Sequence, residues 1–206
     1  MNTETEVFEL NKKSVNLILV ILTAVSFFVF LLWEKQTTQG AFYGNTTDFF
    51  LEHGALYGPL VKEGEIYRLV TYMFLHGDME HLVNNMLILF FLGNAMERYL
   101  GKVKYLILYF SSGILAAIGS IVYNTSYPVC VGASGAVFGV SGALAYLVLR
   151  NKGNLDGLTR KQMLLFLVLS VYGGLVNQGV DNAAHVAGMV AGFLMAIILY
   201  RKKAEQ

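Results

Sequence analysis

Three short segments of this 206-residue chain contain the side chains that could carry out chemistry. Residues 81–85 and 184–192 each contain a histidine, and residues 132–139 contain a serine. Each segment stands at the same end of a long apolar run, so the three are predicted at a similar depth in a membrane. Polar groups in hydrocarbon cost free energy, so they usually face the interior of a helix bundle and mark function.

The residue types in these segments are those needed for acyl transfer. Ser134 is a weak nucleophile that needs a neighbouring base, and His185 suits that role because the unperturbed pKa of histidine lies near neutrality. A tetrahedral oxyanion needs preorganised donors. His81 and Asn85 are four residues apart on one helix face, and the Ser134 amide lies near a helix N-terminus. No aspartate is required.

Other interpretations of these residues are less specific. A single serine in a membrane helix usually bonds to a carbonyl of its own helix. A zinc site built from His76, His81 and His185 is disfavoured, because no H-E-x-x-H motif and no acidic fourth ligand accompany them. His53 is expected in an exposed loop, and Cys130 is expected to be a passive thiol. The sequence therefore predicts neither a metal nor another cofactor.

Glycines recur at helical spacing in two of the segments. They are Gly132, Gly135, Gly139 and Gly142 in one segment and Gly188 and Gly192 in the other. Small residues at this spacing let helix backbones approach closely in a membrane. We therefore expect the helices of Ser134 and His185 to touch. Phe138 lies one turn below the serine, where its ring could pack on the imidazole.

Composition predicts that these segments belong to a membrane protein. Hydrophobic residues make up 55% of the chain and charged residues only 14%, with a mean hydropathy of +0.54. Soluble domains carry about 25% charged residues. The net charge of +1 offers no basic stripe for phosphates, so no nucleic-acid partner is expected.

Six apolar runs are long enough, or nearly so, for the roughly 20 residues of a membrane-spanning helix. They cover residues 14–33, 81–99, 103–123, 131–149, 163–176 and 183–200. The predicted fold is an all-α membrane protein, a bundle of six transmembrane helices in one domain over residues 14–203. Short tails cover residues 1–13 and 204–206. The first run exceeds the apolar core of a signal peptide, so it is expected to be retained.

Charge placement predicts the orientation of this bundle. Of the 15 Lys and Arg residues, only Lys35, Lys62 and Arg68 fall on one face, which leaves twelve for the other. The twelve are Lys12, Lys13, Arg98, Lys102, Lys104, Arg150, Lys152, Arg160, Lys161, Arg201, Lys202 and Lys203. The positive-inside rule places the twelve, and both termini, in the cytoplasm. We expect a multi-pass protein of the bacterial cell (plasma) membrane with its polar segments at the outer face.

The first outer loop, at about residues 34–80, is long and rich in aromatic residues. These are Phe42, Tyr43, Phe49, Phe50, Tyr57, Tyr67, Tyr72 and Phe74. A solvated linker would be polar. The loop is therefore predicted to fold and to lie partly in the membrane interface.

These motifs together resemble the rhomboid family of intramembrane serine proteases over nearly the whole chain. The matching residues are His81-x-x-x-Asn85, Gly132-x-Ser134-Gly135 with Gly139, Ala184-His185-x-x-Gly188-x-x-x-Gly192, the segment Gly93, Glu97 and Gly101, and the loop pair Tyr67-Arg68. The resemblance implies a Ser134–His185 dyad without an acid, an oxyanion hole lined by His81 and Asn85, and a structural role for His76. It also implies substrates that are transmembrane segments with small residues at the scissile bond.

Two residues depart from the family pattern. Phe138 occupies the place where many members have a tyrosine stacked on the base, and Tyr67 replaces the usual tryptophan before the loop arginine. Neither change removes a catalytic group. Two alternatives to a protease remain: a non-catalytic membrane chaperone or binding module of the same fold, and a small transporter or channel. Intact Ser134 and His185 argue against the first, and clustering of the polar residues at one end argues against the second.

Overall fold

A computed structural model describes residues 14–37, 47–124, 126, 128–152, 154–155, 158–176 and 179–200. The predicted tails, the loop aromatics Phe42 and Tyr43, and the cations of both termini lie outside these residues.

The described chain is mostly helical, which confirms the predicted class. In chain order the helices are α1 (Val15–Thr37), α2 (Thr47–Glu52), α3 (Gly58–Lys62), α4 (Arg68–Thr71), α5 (Met79–Ile88), α6 (Asn94–Leu100), α7 (Lys102–Tyr123), α8 (Ser134–Arg150), α9 (Arg160–Val176) and α10 (Asn182–Leu199). A π-helical turn, Leu89–Gly93, joins α5 to α6. One feature was not predicted: a hairpin of two-residue strands, Asn154–Leu155 and Leu158–Thr159, precedes α9.

The helices expose the side chains expected of a protein in lipid. Val15–Gln36, Lys102–Tyr123 and Asn182–Leu199 are long and apolar enough to cross a membrane, and the apolar Ser134–Arg150 is shorter. Their outward faces are hydrophobic, with Leu32 68%, Val122 78% and Ile198 71% exposed. Exposed apolar surface of this extent is not tolerated in water, so the chain is an integral membrane protein.

The long loop that follows α1, within the predicted range of residues 34–80, contains short helices where it is described. It contains α2, α3, α4 and a 3₁₀ turn at Tyr72–Phe74. Arg68 is buried, donates to the Ala55 carbonyl over 2.8 Å, and forms an ion pair with Glu65 at 2.7 Å. Tyr67, in contrast, is 52% exposed and donates to Glu65. The arginine of the pair therefore anchors the loop.

The expectation that His53 is an exposed loop residue was wrong. His53 is half-buried, and its ring lies 4.4 Å from Trp33 and 4.3 Å from Phe49, centroid to centroid. Its Nδ1 lies 2.7 Å from the Phe49 carbonyl. Aromatic side chains from α1 and α2 gather around the imidazole because together they bury more apolar area than any of them would alone.

At the opposite end of the bundle, a carboxylate fixes the start of α1. Glu97 is buried and accepts hydrogen bonds from the Ser14 hydroxyl at 2.7 Å and the Asn16 amide at 2.9 Å. The first amides of a helix lack intrahelical partners, and negative charge is favourable there. Asn16 in turn donates to the Leu89 carbonyl in the π-helical turn, so α1 is tied to that turn and to α6.

Helices α8 and α10 approach backbone to backbone, which confirms the contact predicted from the glycines. A Cβ added at Gly192 would meet the Gly139 carbonyl, one at Gly188 would meet the Gly135 carbonyl, and one at Gly142 the Met189 carbonyl. No side chain larger than hydrogen fits at these positions. The close approach brings the first turns of the two helices together at one end of the bundle.

Candidate active site

Ser134 and His185 form the centre of the site. The Ser134 hydroxyl oxygen lies 2.9 Å from His185 Nε2, within the reach that a nucleophile and its base require. Ser134 is the first residue of α8, and His185 lies in the first turn of α10. Both side chains are partly buried.

Phe138 stacks on the imidazole of His185. The two ring centroids are 4.1 Å apart and the planes differ by 13°. Since Phe138 has no hydroxyl, it fixes the ring by contact alone. His185 Nδ1 is buried and has no hydrogen-bond partner in the described part of the chain. The geometry is that of a serine–histidine pair without an acidic third member.

Asn85 is connected to the segment that leads to Ser134 by the side chain of His76, which contacts both. Its side chain is buried, and Nδ2 lies 3.2 Å from His76 Nε2. The Ala133 amide points at the same nitrogen over 3.4 Å. Burial lowers the pKa of His76 to about 3, so its ring is neutral and Nε2 accepts both donors. His76 thus links Asn85 to Ala133.

His81 packs against Gly132, two residues before Ser134. A Cβ added at Gly132 would lie 2.5 Å from His81 Cε1, and the φ of Gly132 is +121°. Only glycine adopts this backbone conformation readily. The predicted apolar run begins at residue 131, but Gly132 is not helical, because this φ angle is incompatible with a right-handed helix. The helix begins at Ser134, and its packing stripe starts at Gly135.

The segment before Ser134 is held by the first outer loop. Leu56 and Cys130 exchange two backbone hydrogen bonds of 2.9 Å, and the Gly132 amide donates to the Tyr72 carbonyl over 2.9 Å. Tyr72 is itself anchored by a hydrogen bond from its hydroxyl to the Gly113 carbonyl. The chain therefore enters α8 along a fixed path, with the Ser134 amide at the helix N-terminus.

The site brings together the side chains that acyl transfer requires. A serine and a base are in contact, and histidine and amide side chains flank the segment before the serine. No group of three His, Cys, Asp or Glu side chains that could hold a metal ion occurs among the described residues. The fold brings His76, for which the family resemblance implies a structural role, into contact with Asn85.

Comparison with known proteins identifies related sequences. A family model described as the Rhomboid domain matches residues 63–202. The rhomboid protease GluP of Bacillus subtilis is 31% identical over 202 residues, which is 98% of this chain but 38% of GluP. The putative rhomboid protease YdcA of B. subtilis is 35% identical over 71% of this chain and 73% of YdcA. The rhomboid protease AarA of Providencia stuartii is 34% identical over 70% of this chain and 59% of AarA.

Proposed function

The chain belongs to the rhomboid family, and from that membership we propose that it is an intramembrane serine endopeptidase that cleaves transmembrane segments of other membrane proteins. The observation that carries the proposal is the 2.9 Å contact between the Ser134 hydroxyl and His185 Nε2. Two of the relatives, GluP and AarA, are named as rhomboid proteases.

The proposed reaction proceeds through an acyl-enzyme. His185 Nε2 takes the Ser134 proton as the serine oxygen attacks a backbone carbonyl. The oxyanion is held by the side chains of His81 and Asn85 and by the Ser134 amide. His185 then protonates the leaving amine, and a water molecule hydrolyses the ester. Gly135 and Gly188 contribute by allowing the close backbone packing that the dyad requires, and Gly132 contributes by leaving room for the His81 ring.

The proposed setting is the outer half of a cell membrane. Residues 14–203 would form one protease domain of six spans with both termini in the cytoplasm, following the positive-inside distribution of Lys and Arg. The first outer loop would lie at the interface. A substrate helix must unwind locally before cleavage, because its carbonyls are engaged in helical hydrogen bonds. Substrates with helix-destabilising residues near small residues are therefore expected.

One assay tests this function directly. A tagged transmembrane reporter protein is incubated with the purified chain in proteoliposomes, beside an equal amount of Ser134→Ala, and the fragments are identified by mass spectrometry. Serine-dependent cleavage within the apolar segment supports the protease. A non-catalytic binding module would retain the reporter intact and would fail to react with a fluorophosphonate probe.

Asn85→Ala is expected to lower kcat with little change in KM. The oxyanion exists only along the reaction path, so losing a donor to it affects the transition state more than substrate binding. Loss of a single donor costs about 2.7–4 kcal/mol when it acts alone, and the loss is smaller here because His81 and the Ser134 amide share the load. Steady-state kinetics with melting curves tests this.

The neighbouring Asn84 provides the matched control for this variant. Asn84→Ala removes the same amide from the same helix, one residue from the site, and should leave kcat near the wild-type value. A fully active Asn85→Ala enzyme, or a defect confined to KM, would reduce Asn85 to a packing residue.

EDTA is expected to leave cleavage unchanged. The described residues bring no three metal-ligating side chains together, and the proposed reaction uses a serine nucleophile. The measurement is the rate of reporter cleavage before and after dialysis against the chelator. Loss of activity that zinc restores would refute the serine mechanism and assign His76, His81 and His185 to a metal site.

A further inference from the structure

Asp181, the residue before α10, binds to three other parts of the chain through its side chain. One carboxylate oxygen, Oδ1, accepts the Ala184 amide and the Asn124 side-chain amide, each over 3.0 Å. The other, Oδ2, accepts the Ser120 hydroxyl in a short hydrogen bond and the Cys130 thiol over 3.3 Å. Ser120 lies in the last turn of α7, Asn124 directly follows that helix, and Cys130 belongs to the segment that leads to Ser134.

A helix cap alone would not need this arrangement. Capping requires one acceptor for an amide of the first turn, and Oδ1 provides it. The second oxygen is directed entirely to other elements. Asp181 is the only acidic side chain in residues 179–200, and it lies one turn before His185, whose amide donates to the Asp181 carbonyl.

The protonation states of the Asp181 carboxyl and the Cys130 thiol favour the hydrogen bond between them. Burial acts to raise the pKa of the Asp181 carboxyl, but hydrogen bonds from Ser120, Ala184 and Asn124 outweigh it, and the pKa lies below its ordinary value. The carboxylate is therefore an acceptor only. Burial raises the pKa of the Cys130 thiol to about 12, so the thiol keeps its proton and donates it.

We infer that Asp181 is a positioning residue of the proposed protease: it joins the start of α10 to α7 and to the segment before Ser134, and so holds His185 in hydrogen-bond reach of the nucleophile. This inference rests on the proposed function. Asp181 touches neither the serine nor the imidazole, and it acts by fixing the two elements that carry them relative to each other. A shift of about 1 Å between reacting groups can cost about 100-fold in rate.

Asp181→Ser separates this role from helix capping. Serine caps a helix N-terminus as well as aspartate does, but its shorter side chain cannot also reach Ser120 and Cys130. Asp78→Ser is the matched control, because Asp78 caps α5 by accepting the His81 amide and is exposed. Ser120→Ala removes the α7 hydroxyl that donates to Asp181 and leaves the cap of α10 intact.

The experiment uses the full chain and records three quantities for each variant: kcat and KM on the reporter, the rate of fluorophosphonate labelling of Ser134, and the melting curve. We expect Asp181→Ser to lower kcat and the labelling rate by about 10-fold to 100-fold, with KM changed less than twofold and the protein folded at the assay temperature. Asp78→Ser should stay within about twofold of wild type. Ser120→Ala should lower kcat in the same direction and add little to Asp181→Ser, since the two residues share one interaction.

The inference would be overturned if Asp181→Ser had a kcat near that of wild type or a defect confined to KM. It would also be overturned if the fold-losses in kcat of Ser120→Ala and Asp181→Ser simply multiplied in the double variant. If the wild-type protein were labelled at Ser134 but did not cleave the reporter, the proposed protease activity would be refuted. The labelling rates of the variants would still test the positioning role of Asp181. If wild type neither labels nor cleaves, both proposals fall.

Discussion

Ser134→Ala is expected to abolish cleavage of a transmembrane reporter while the protein still inserts and folds. The substitution removes the oxygen that lies 2.9 Å from His185 Nε2, and no covalent intermediate can form without it. The remaining oxyanion donors and substrate binding leave only a small residual rate, so kcat should fall by at least about 10⁴-fold. Reporter cleavage and membrane extraction of the variant test both halves of the expectation.

A second serine in α8 provides the control. Ser141 lies two turns from Ser134 in the same helix, is buried, and donates to the Val137 carbonyl over 3.0 Å. Ser141→Ala removes the same atom from the same helix and should cleave at close to the wild-type rate. Substantial turnover by a well-folded Ser134→Ala protein would refute the serine mechanism.

His185→Ala should be about as damaging as Ser134→Ala, and the double variant no worse than either. Members of a nucleophile–base pair act as one unit, so their individual losses do not add. The same kinetic assay applies to all three proteins. A His185→Ala enzyme with near-normal activity would show that another group takes the serine proton.

The position of the serine and histidine could be predicted because membrane helices obey strong local rules. An apolar run must be helical, since backbone groups in lipid have to be satisfied within the segment. Glycines at helical spacing then indicate which faces approach each other. Those two rules are enough to predict that α8 and α10 meet with Ser134 and His185 at the same end.

The features that were missed depend on contacts between distant parts of the chain. The start of α8 is set by the pairing of Cys130 with Leu56 and by the φ angle of Gly132, and no local propensity reveals either. The partial burial of His53 was missed because it depends on Trp33 in α1 and Phe49 in α2. The contact of His76 with Asn85 likewise joins a loop residue to α5. A single aspartate before a helix predicts a cap, but its bonds to α7 become visible only in the folded structure.

Gly192→Ala is expected to lower both the stability of the fold and the activity. The added Cβ would meet the carbonyl and Cα of Gly139. These are backbone atoms that cannot rotate away, so α8 and α10 must separate. Overpacking of a well-packed interior costs about 1–3 kcal/mol. The separation also acts on the dyad, because Ser134 and His185 reach each other only through the contact of these two helices.

Heat-induced unfolding in detergent and the fluorophosphonate labelling rate measure the two consequences separately. Val190→Ile is the matched control: it also adds one carbon to α10, two residues away, at a side chain that is 52% exposed on the outward face. That variant should melt and label like wild type. Gly192→Ala should melt at a lower temperature, and the fraction that remains folded should label Ser134 more slowly. If Gly192→Ala retained the wild-type melting temperature and labelling rate, the backbone contact between α8 and α10 would not be what holds the base against the nucleophile.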